Sequence, residues 1–260
     1  MKVSVVTINY NNVAGLKRTL ESVNTQTCND YELVIVDGGS YDGSKAVIEE
    51  YVANHSNVTW VSEPDKGIYN AMNKGVRMSS GEYCIFMNSG DCFYDCKVLE
   101  ASMGYLDGEK FILTGTANVE GRMIKAPVEE ELSLSFFVKE SLCHQSTFIK
   151  KELLIRIPYN ESRKIVGDAE FFFQSLILES VPYQNIPVCV SLYEIAGASS
   201  NIEESFKERI TAIKEHLPHR MDYDVNFIYK YHNLLVMKVG SLFYNDFFRI
   251  FNRAIRKMKS

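Results

Sequence analysis

Apolar and polar positions alternate between two periods along the first hundred residues. Residues 3–8 are a short apolar run, followed by the polar stretch Asn9-Tyr10-Asn11-Asn12. Leu16, Leu20 and Val23 then recur at helical spacing. Residues 32–37 have the character of a buried strand that ends in an acid and opens into Gly38-Gly39-Ser40. Ser44 is placed to cap a helix through Val47, Ile48, Tyr51 and Val52. Residues 58–61 predict a third strand, Ile68 to Val76 the next helix, and residues 83–87 the next strand. Such alternation implies a single, mostly parallel Rossmann-like α/β sheet flanked by helices on both faces.

Past residue 100 the alternation loosens. Residues 111–114, 144–149 and 186–193 predict strands and residues 169–178 a helix, with Pro127, Pro158, Pro182 and Pro187 in the connections. From about Asn201 the pattern is helical to the end, broken at Pro218. The expected organisation is a sheet domain over residues 1–200, split into halves 1–100 and 101–200, and a helical extension over residues 201–260.

In a parallel α/β sheet, ligands bind beyond the carboxyl ends of the strands. The polar residues gather there: Asn9, Asn11 and Asn12 after the first strand, Asp37 after the second, Glu63-Pro64-Asp65-Lys66-Gly67 after the third, and Asn88-Ser89-Gly90-Asp91 after the strand at 83–87. Each alone is ordinary turn chemistry. Together they put acids and amides from separate strands on one edge. The chain lacks a dinucleotide fingerprint after its first strand and has no P-loop. A diphosphate site without a glycine-rich helix start would use a metal, for which Asp91 is a suitable hard oxygen ligand.

Several of these segments resemble family 2 glycosyltransferases, with bacterial polysaccharide-assembly enzymes of the colanic-acid type nearest in pattern. The resemblance is carried by residues 5–11, 36–44 and 63–75, and by Gly81-Glu82-Tyr83 leading to Asn88-Ser89-Gly90-Asp91. It is dense to about residue 95 and weaker to about residue 200, through His144-Gln145, Gly167-Asp168-Ala169-Glu170 and Gly197-Ala198-Ser199. It implies a GT-A fold, a nucleotide-diphosphate sugar donor, Mg²⁺ or Mn²⁺, and inversion at the anomeric carbon. A UDP-sugar is the favoured donor, and the implied acceptor is a saccharide, in particular a lipid-linked one.

Residue by residue, the resemblance makes Asp37 the acid at the nucleobase, Asp65 the acid near the ribose and donor sugar, and Asp91 the last acid of the metal motif. The first acid of that motif is replaced by Asn88. Thr7, Asn9, Asn11, Lys66, Asn73 and Asn88 complete the implied donor set. Asp168 matches the catalytic base, with Gly167 where another residue is usual, and its plainer reading is a first-turn helix acid. His144 and Gln145 are acceptor-side candidates or plain packed residues. A nucleotidyltransferase would need a basic, glycine-rich loop where Asn9 to Asn12 stand. A nucleotide-sugar-binding module without catalysis is the other alternative, to which Asn88 gives room.

Charge changes the picture at one end. The chain has 28 Lys+Arg and 33 Asp+Glu, a net −5, but residues 238–260 alone carry +5 and the remainder −10. An acidic body argues against nucleic acid as a partner. The basic tail sets Lys238, Arg249, Arg256 and Lys257 largely opposite Leu242, Phe247, Ile250 and Phe251 at helical spacing. It suits an anionic membrane surface, a closing helix or a homodimer seam. The six cysteines have no zinc spacing and read as reduced, and no apolar run reaches the ~18–20 residues of a membrane span. The expected location is the cytoplasm, at the inner face of the plasma membrane if the tail binds there.

Overall fold

The computed structural model describes residues 1–193 and 202–239. The Gly197–Ser199 motif of the sequence reading and residues 240–260 of its tail lie outside the described residues. The parallel half contains β1 (Val3–Asn9), β2 (Tyr31–Asp37), β3 (Val58–Ser62) and β4 (Tyr83–Phe86), ordered β3-β2-β1-β4. They are linked by α1 (Val13–Asn24), α2 (Ser44–Asn54) and α3 (Ile68–Met78).

Beyond β4 the sheet becomes mixed. β8 (Thr147–Lys150) runs antiparallel to β4, β6 (Ile112–Val119) antiparallel to β8, and β9 (Tyr183–Tyr193) parallel to β6. β5 (Cys92–Phe93) closes that edge, and β7 (Arg122–Ile124) forms a hairpin with β6. Pro187 lies within β9, where the register with β6 jumps from Thr114↔Asn185 to Thr116↔Cys189. A proline has no N–H for the ladder, so a strand carrying one is irregular at that point.

β1, β2 and β4 are buried on both faces, which is why they read as unbroken apolar runs, whereas β3 lies at the sheet edge and is only partly buried. Val3, Val5, Leu33, Ile35, Tyr83 and Ile85 pack with Leu16, Leu20 and Ile48 on one face. Val6, Ile8, Val34, Val36 and Phe86 pack on the other with Met72 and Val76 of α3. That second core continues through α5 (Leu134–Lys139), α6 (Lys151–Arg156) and α7 (Gly167–Phe173). It also takes in Ile210 and Ile213 of α8 (Ile202–Glu215) and Val225 of α9 (Asp222–Val239). The helices after the sheet therefore share its core. On the opposite face, α4 (Val98–Met103) completes the layer.

Residues 144–149 are not one strand. His144–Ser146 forms a single 3₁₀ turn before β8 begins at Thr147. The turn is tied by Ser146 N–H to the Cys143 carbonyl (3.0 Å) and by the Thr147 hydroxyl to the same oxygen (2.7 Å). Local side-chain bonding of this kind competes with the sheet ladder, and here it takes His144 out of the strand.

Candidate active site

Strand register builds the first polar cluster. Asn9 pairs with Asp37, and Asp37 with Ser62, so adjacent strand ends carry these side chains in one row. Asp37 accepts from Asn9 Nδ2 (2.7 Å), the Ser40 hydroxyl (2.6 Å), Ser40 N–H (3.0 Å) and the Ser62 hydroxyl (2.7 Å). Burial pushes its pKa up, but these donors outweigh burial and hold it below the ordinary carboxylate value. The side chain is closed to solvent, so contact with a nucleobase requires one of these bonds to open. Ser40 also takes the Asn11 N–H (2.8 Å), and Asn11 Oδ1 takes the Tyr41 N–H (2.9 Å). Ser40 and Ser62, to which sequence reading attached no role, are the residues that organise this end.

Asp65 borders the same cluster. A Cβ on Gly38 would stand 3.1 Å from Asp65 Oδ2 and 3.1 Å from the Tyr10 ring, so the bare glycine leaves the acid and the ring close together. Lys74 bridges Asp65 (2.6 Å) and Glu63 (2.8 Å). Tyr10 is exposed, as is Lys66. Two members of the expected donor set lie elsewhere. Thr7 is wholly buried inside the sheet, and both amide ends of Asn73 bond the Tyr159 backbone (2.8 and 3.0 Å). Asn73 acts there as a clamp between α3 and the second half.

The second cluster joins the two halves of the chain. Asp91 Oδ2 accepts the Asn88 N–H (3.2 Å), and the Gln145 side chain stands near the same carboxylate. Burial raises the Asp91 pKa, offset in part by the charge of His144 and by the Gln145 side chain. Asn88 Nδ2 lies 3.4 Å from His144 Nε2, and His144 Nδ1 lies 2.9 Å from Asp168 Oδ2. Burial pulls the His144 pKa down, but the Asp168 carboxylate more than reverses this; Asp168 is in turn held below its ordinary value, chiefly by His144 against burial. Thus Asn88, Asp91, His144, Gln145 and Asp168, far apart in sequence, meet in one place. Asn12 ties the start of α1 to the Asn88–Asp91 segment: its Oδ1 caps α1 at Gly15 N–H (3.0 Å), and its Nδ2 donates to the Ser89 carbonyl (2.8 Å).

Tyr69 is the member that sequence reading passed over, although it stands inside the Asp65–Gly75 motif. Its hydroxyl donates to the Ile165 carbonyl (2.6 Å) and reaches Asp168 Oδ1 (3.1 Å). Gly167 makes room for it, since a Cβ there would lie 2.8 Å from the Tyr69 ring. The glycine before Asp168 is therefore a packing requirement of this pair.

The donor atoms bear on a metal. Asn88 Oδ1 is buried without a hydrogen bond, beside a desolvated Asp91 carboxylate. Among the described residues no cluster of three His, Cys, Asp or Glu side chains is arranged to hold an ion. One carboxylate with one amide oxygen fits a hard divalent cation whose other ligands come from a diphosphate.

Comparison with known proteins gives a consistent match. The family described as "Glycosyl transferase family 2" matches residues 4–156. An uncharacterised glycosyltransferase of Mycobacterium tuberculosis is 30% identical over 216 residues, covering 78% of this chain and 79% of its own. A PGL/p-HBAD biosynthesis glycosyltransferase of the same species is 26% identical over 213 residues, covering 80% and 83%. Among solved structures, S. aureus TarS in complex with UDP-GlcNAc superposes with a TM-score of 0.67 at 17% identity, covering 94% of this chain and 77% of that one. A mannosyltransferase of Pyrobaculum calidifontis with GDP-Man and Mn²⁺ gives 0.64 at 13% identity, covering 97% and 80%. These two share the GT-A fold with this chain.

Proposed function

This chain belongs to glycosyl transferase family 2, and within it we propose an inverting enzyme that moves a sugar from a nucleotide-diphosphate donor to a saccharide acceptor. The single observation that carries this reading is the contact chain from Asp91 and Asn88 through His144 to Asp168, which spans the halves of the sheet. A UDP-sugar is the preferred donor, supported by the UDP-GlcNAc complex of TarS. The acceptor we favour is lipid-linked and belongs to bacterial surface glycolipid or polysaccharide assembly, in line with the mycobacterial relative.

At the nucleoside end, the exposed Tyr10 ring offers a stacking face beside Asp65, while Asp37 holds Asn9, Ser40 and Ser62 in place around it. Lys66, exposed at the start of the Asp65–Gly75 motif, is available to the diphosphate. At the reacting end, Asp91 and Asn88 would hold Mg²⁺ or Mn²⁺, which when bound stabilises the charge of the departing diphosphate. Asp168 takes the proton of the acceptor hydroxyl as its oxygen attacks the anomeric carbon. His144 and Tyr69 keep that carboxylate oriented, and Gln145 does the same for Asp91.

A binding module without turnover is the second reading, favoured by Asn88 in place of an acid. The deciding experiment measures UDP-sugar turnover with Mn²⁺ for the parent, Asp91→Ala and Asp168→Asn, beside thermal shifts by the same sugars. Turnover lost in both variants supports the enzyme. A thermal shift without turnover in the parent supports the module. Among the described residues no helix is long and apolar enough to cross a membrane. We assign residues 238–260 to peripheral contact with an anionic inner-leaflet surface, with a closing helix packed on the domain and a homodimer seam as the rivals. Truncation before Lys238, followed by vesicle flotation and sizing, separates them.

A further inference from the structure

The loop that delivers Asp168 is held from outside the sheet. Glu208, on α8, receives the consecutive backbone N–H groups of Lys164 (2.8 Å), Ile165 (2.8 Å) and Val166 (3.2 Å). The Ile165 carbonyl is the one that accepts from Tyr69, and Val166 immediately precedes α7. The same carboxylate thus sets the peptide plane against which Tyr69 is placed and the entry of the helix whose second residue is Asp168.

A separate clamp holds the flanks of this loop. Arg163 donates to both oxygens of Glu170 (2.8 and 3.0 Å), and His216 Nε2 lies 2.8 Å from Glu170 Oε1. Arg163 also pairs with Glu215 on α8. Glu170 is nearly closed to solvent, whereas Glu215 is largely exposed. The two clamps differ in kind. The Arg163–Glu170 pair fixes side chains around the loop, while Glu208 fixes its backbone next to the reacting carboxylate.

We infer that Glu208 is a positioning residue for Asp168, acting on it from α8 through the backbone of residues 164–166. Residue 208, like Asp168, lies outside the span matched by the family. The physical reason is alignment. Three charge-assisted hydrogen bonds to one carboxylate restrain a loop that would otherwise sample several backbone states. A displacement of about 1 Å at a reacting group can cost about a hundredfold in rate. This inference rests on Asp168 being the acceptor-side base.

The test compares the parent with Glu208→Ala, Glu208→Gln, Glu215→Ala and Asp168→Asn. One readout is hydrolysis of UDP-GlcNAc with Mn²⁺, resolved into kcat and KM. The other is the NMR chemical shift of the Asp168 amide and the Tyr69 ring, which needs no sugar nucleotide. Expected for Glu208→Ala is a kcat lower by about ten- to a hundredfold with KM unchanged, and displaced Asp168 amide and Tyr69 ring signals. Glu208→Gln, which keeps an acceptor oxygen, should fall between it and the parent. Glu215→Ala should leave both readouts at the parental level.

Parental kcat and parental Asp168 and Tyr69 signals in Glu208→Ala overturn the inference. So does a loss that only tracks thermal stability equally in Glu208→Ala and Glu215→Ala. If Glu208→Ala does not fold, Glu208→Gln decides on the same criteria, and if the parent does not hydrolyse UDP-GlcNAc, the Asp168 and Tyr69 signals decide. Parental turnover in Asp168→Asn defeats the assignment of the base instead, whatever Glu208 does.

Discussion

His144 Nδ1 stands 2.9 Å from Asp168 Oδ2, a contact between a 3₁₀ turn ahead of β8 and the first turn of α7. Each partner is mostly but not wholly buried, at 17% and 18% exposure, so the pair is open to a ligand yet only weakly screened. Each group shifts the other's proton affinity in the direction that favours the ion pair.

That coupling predicts a stability window. Asp168 has a lowered pKa, so its contribution is complete above the unfolded carboxylate value of about 4 and is lost as pH falls through the folded value. His144 has a raised pKa, so its contribution is complete below about 6.5 and is lost as pH rises through the folded value. The Tm deficit of His144→Ala relative to the parent should therefore be largest between about pH 4 and 6.5 and shrink on either side. Thermal denaturation across pH checks this; a deficit independent of pH would count against the pair.

Asp91 should behave in the opposite sense. Its pKa is raised by burial, so any stability linked to its proton is present below the unfolded value and is lost as pH rises through the folded one. In EDTA at pH 7, Asp91→Asn should melt above the parent, and the gap should close on acidification. A melting point at or below the parent's would show that this carboxylate is not held at a cost.

Tyr69 and Gly167 form one packing unit. Gly167→Ala should destabilise by about 1–3 kcal/mol through overpacking against the ring. Tyr69→Phe should cost about 1 kcal/mol and lower kcat for UDP-GlcNAc hydrolysis, with KM held. Urea denaturation and steady-state kinetics supply the two measurements. A Gly167→Ala protein as stable as the parent would remove the proposed reason for the glycine.

Asn73 distinguishes a clamp from a donor contact. Asn73→Ala leaves the buried Tyr159 N–H and carbonyl without their partner, at a cost on the order of 2–4 kcal/mol. The thermal shift produced by UDP-GlcNAc should persist in this variant. Unchanged stability with loss of the shift would return Asn73 to the donor site.

The local part of this protein was legible from residue order alone. Unbroken apolar runs at β1, β2 and β4 and the helical spacing of α1 and α3 specify a parallel half, because strands buried on both faces admit few polar residues. The same pattern places acids and amides at the strand ends, where the ladder stops and the following loops supply hydrogen-bond partners. Tertiary structure decided which of those residues share a site. Thr7 and Asn73 belong to the motifs, yet sheet packing closes one and the Tyr159 backbone occupies the other. His144 looked like part of a strand until hydrogen bonds to the Cys143 carbonyl turned it toward Asp168. Tyr69 and Glu208 act on the residues around Asp168 from 99 positions before it and from α8 after it. Neither contact leaves a periodic signal, because a single long-range hydrogen bond imposes no pattern on its neighbours in sequence.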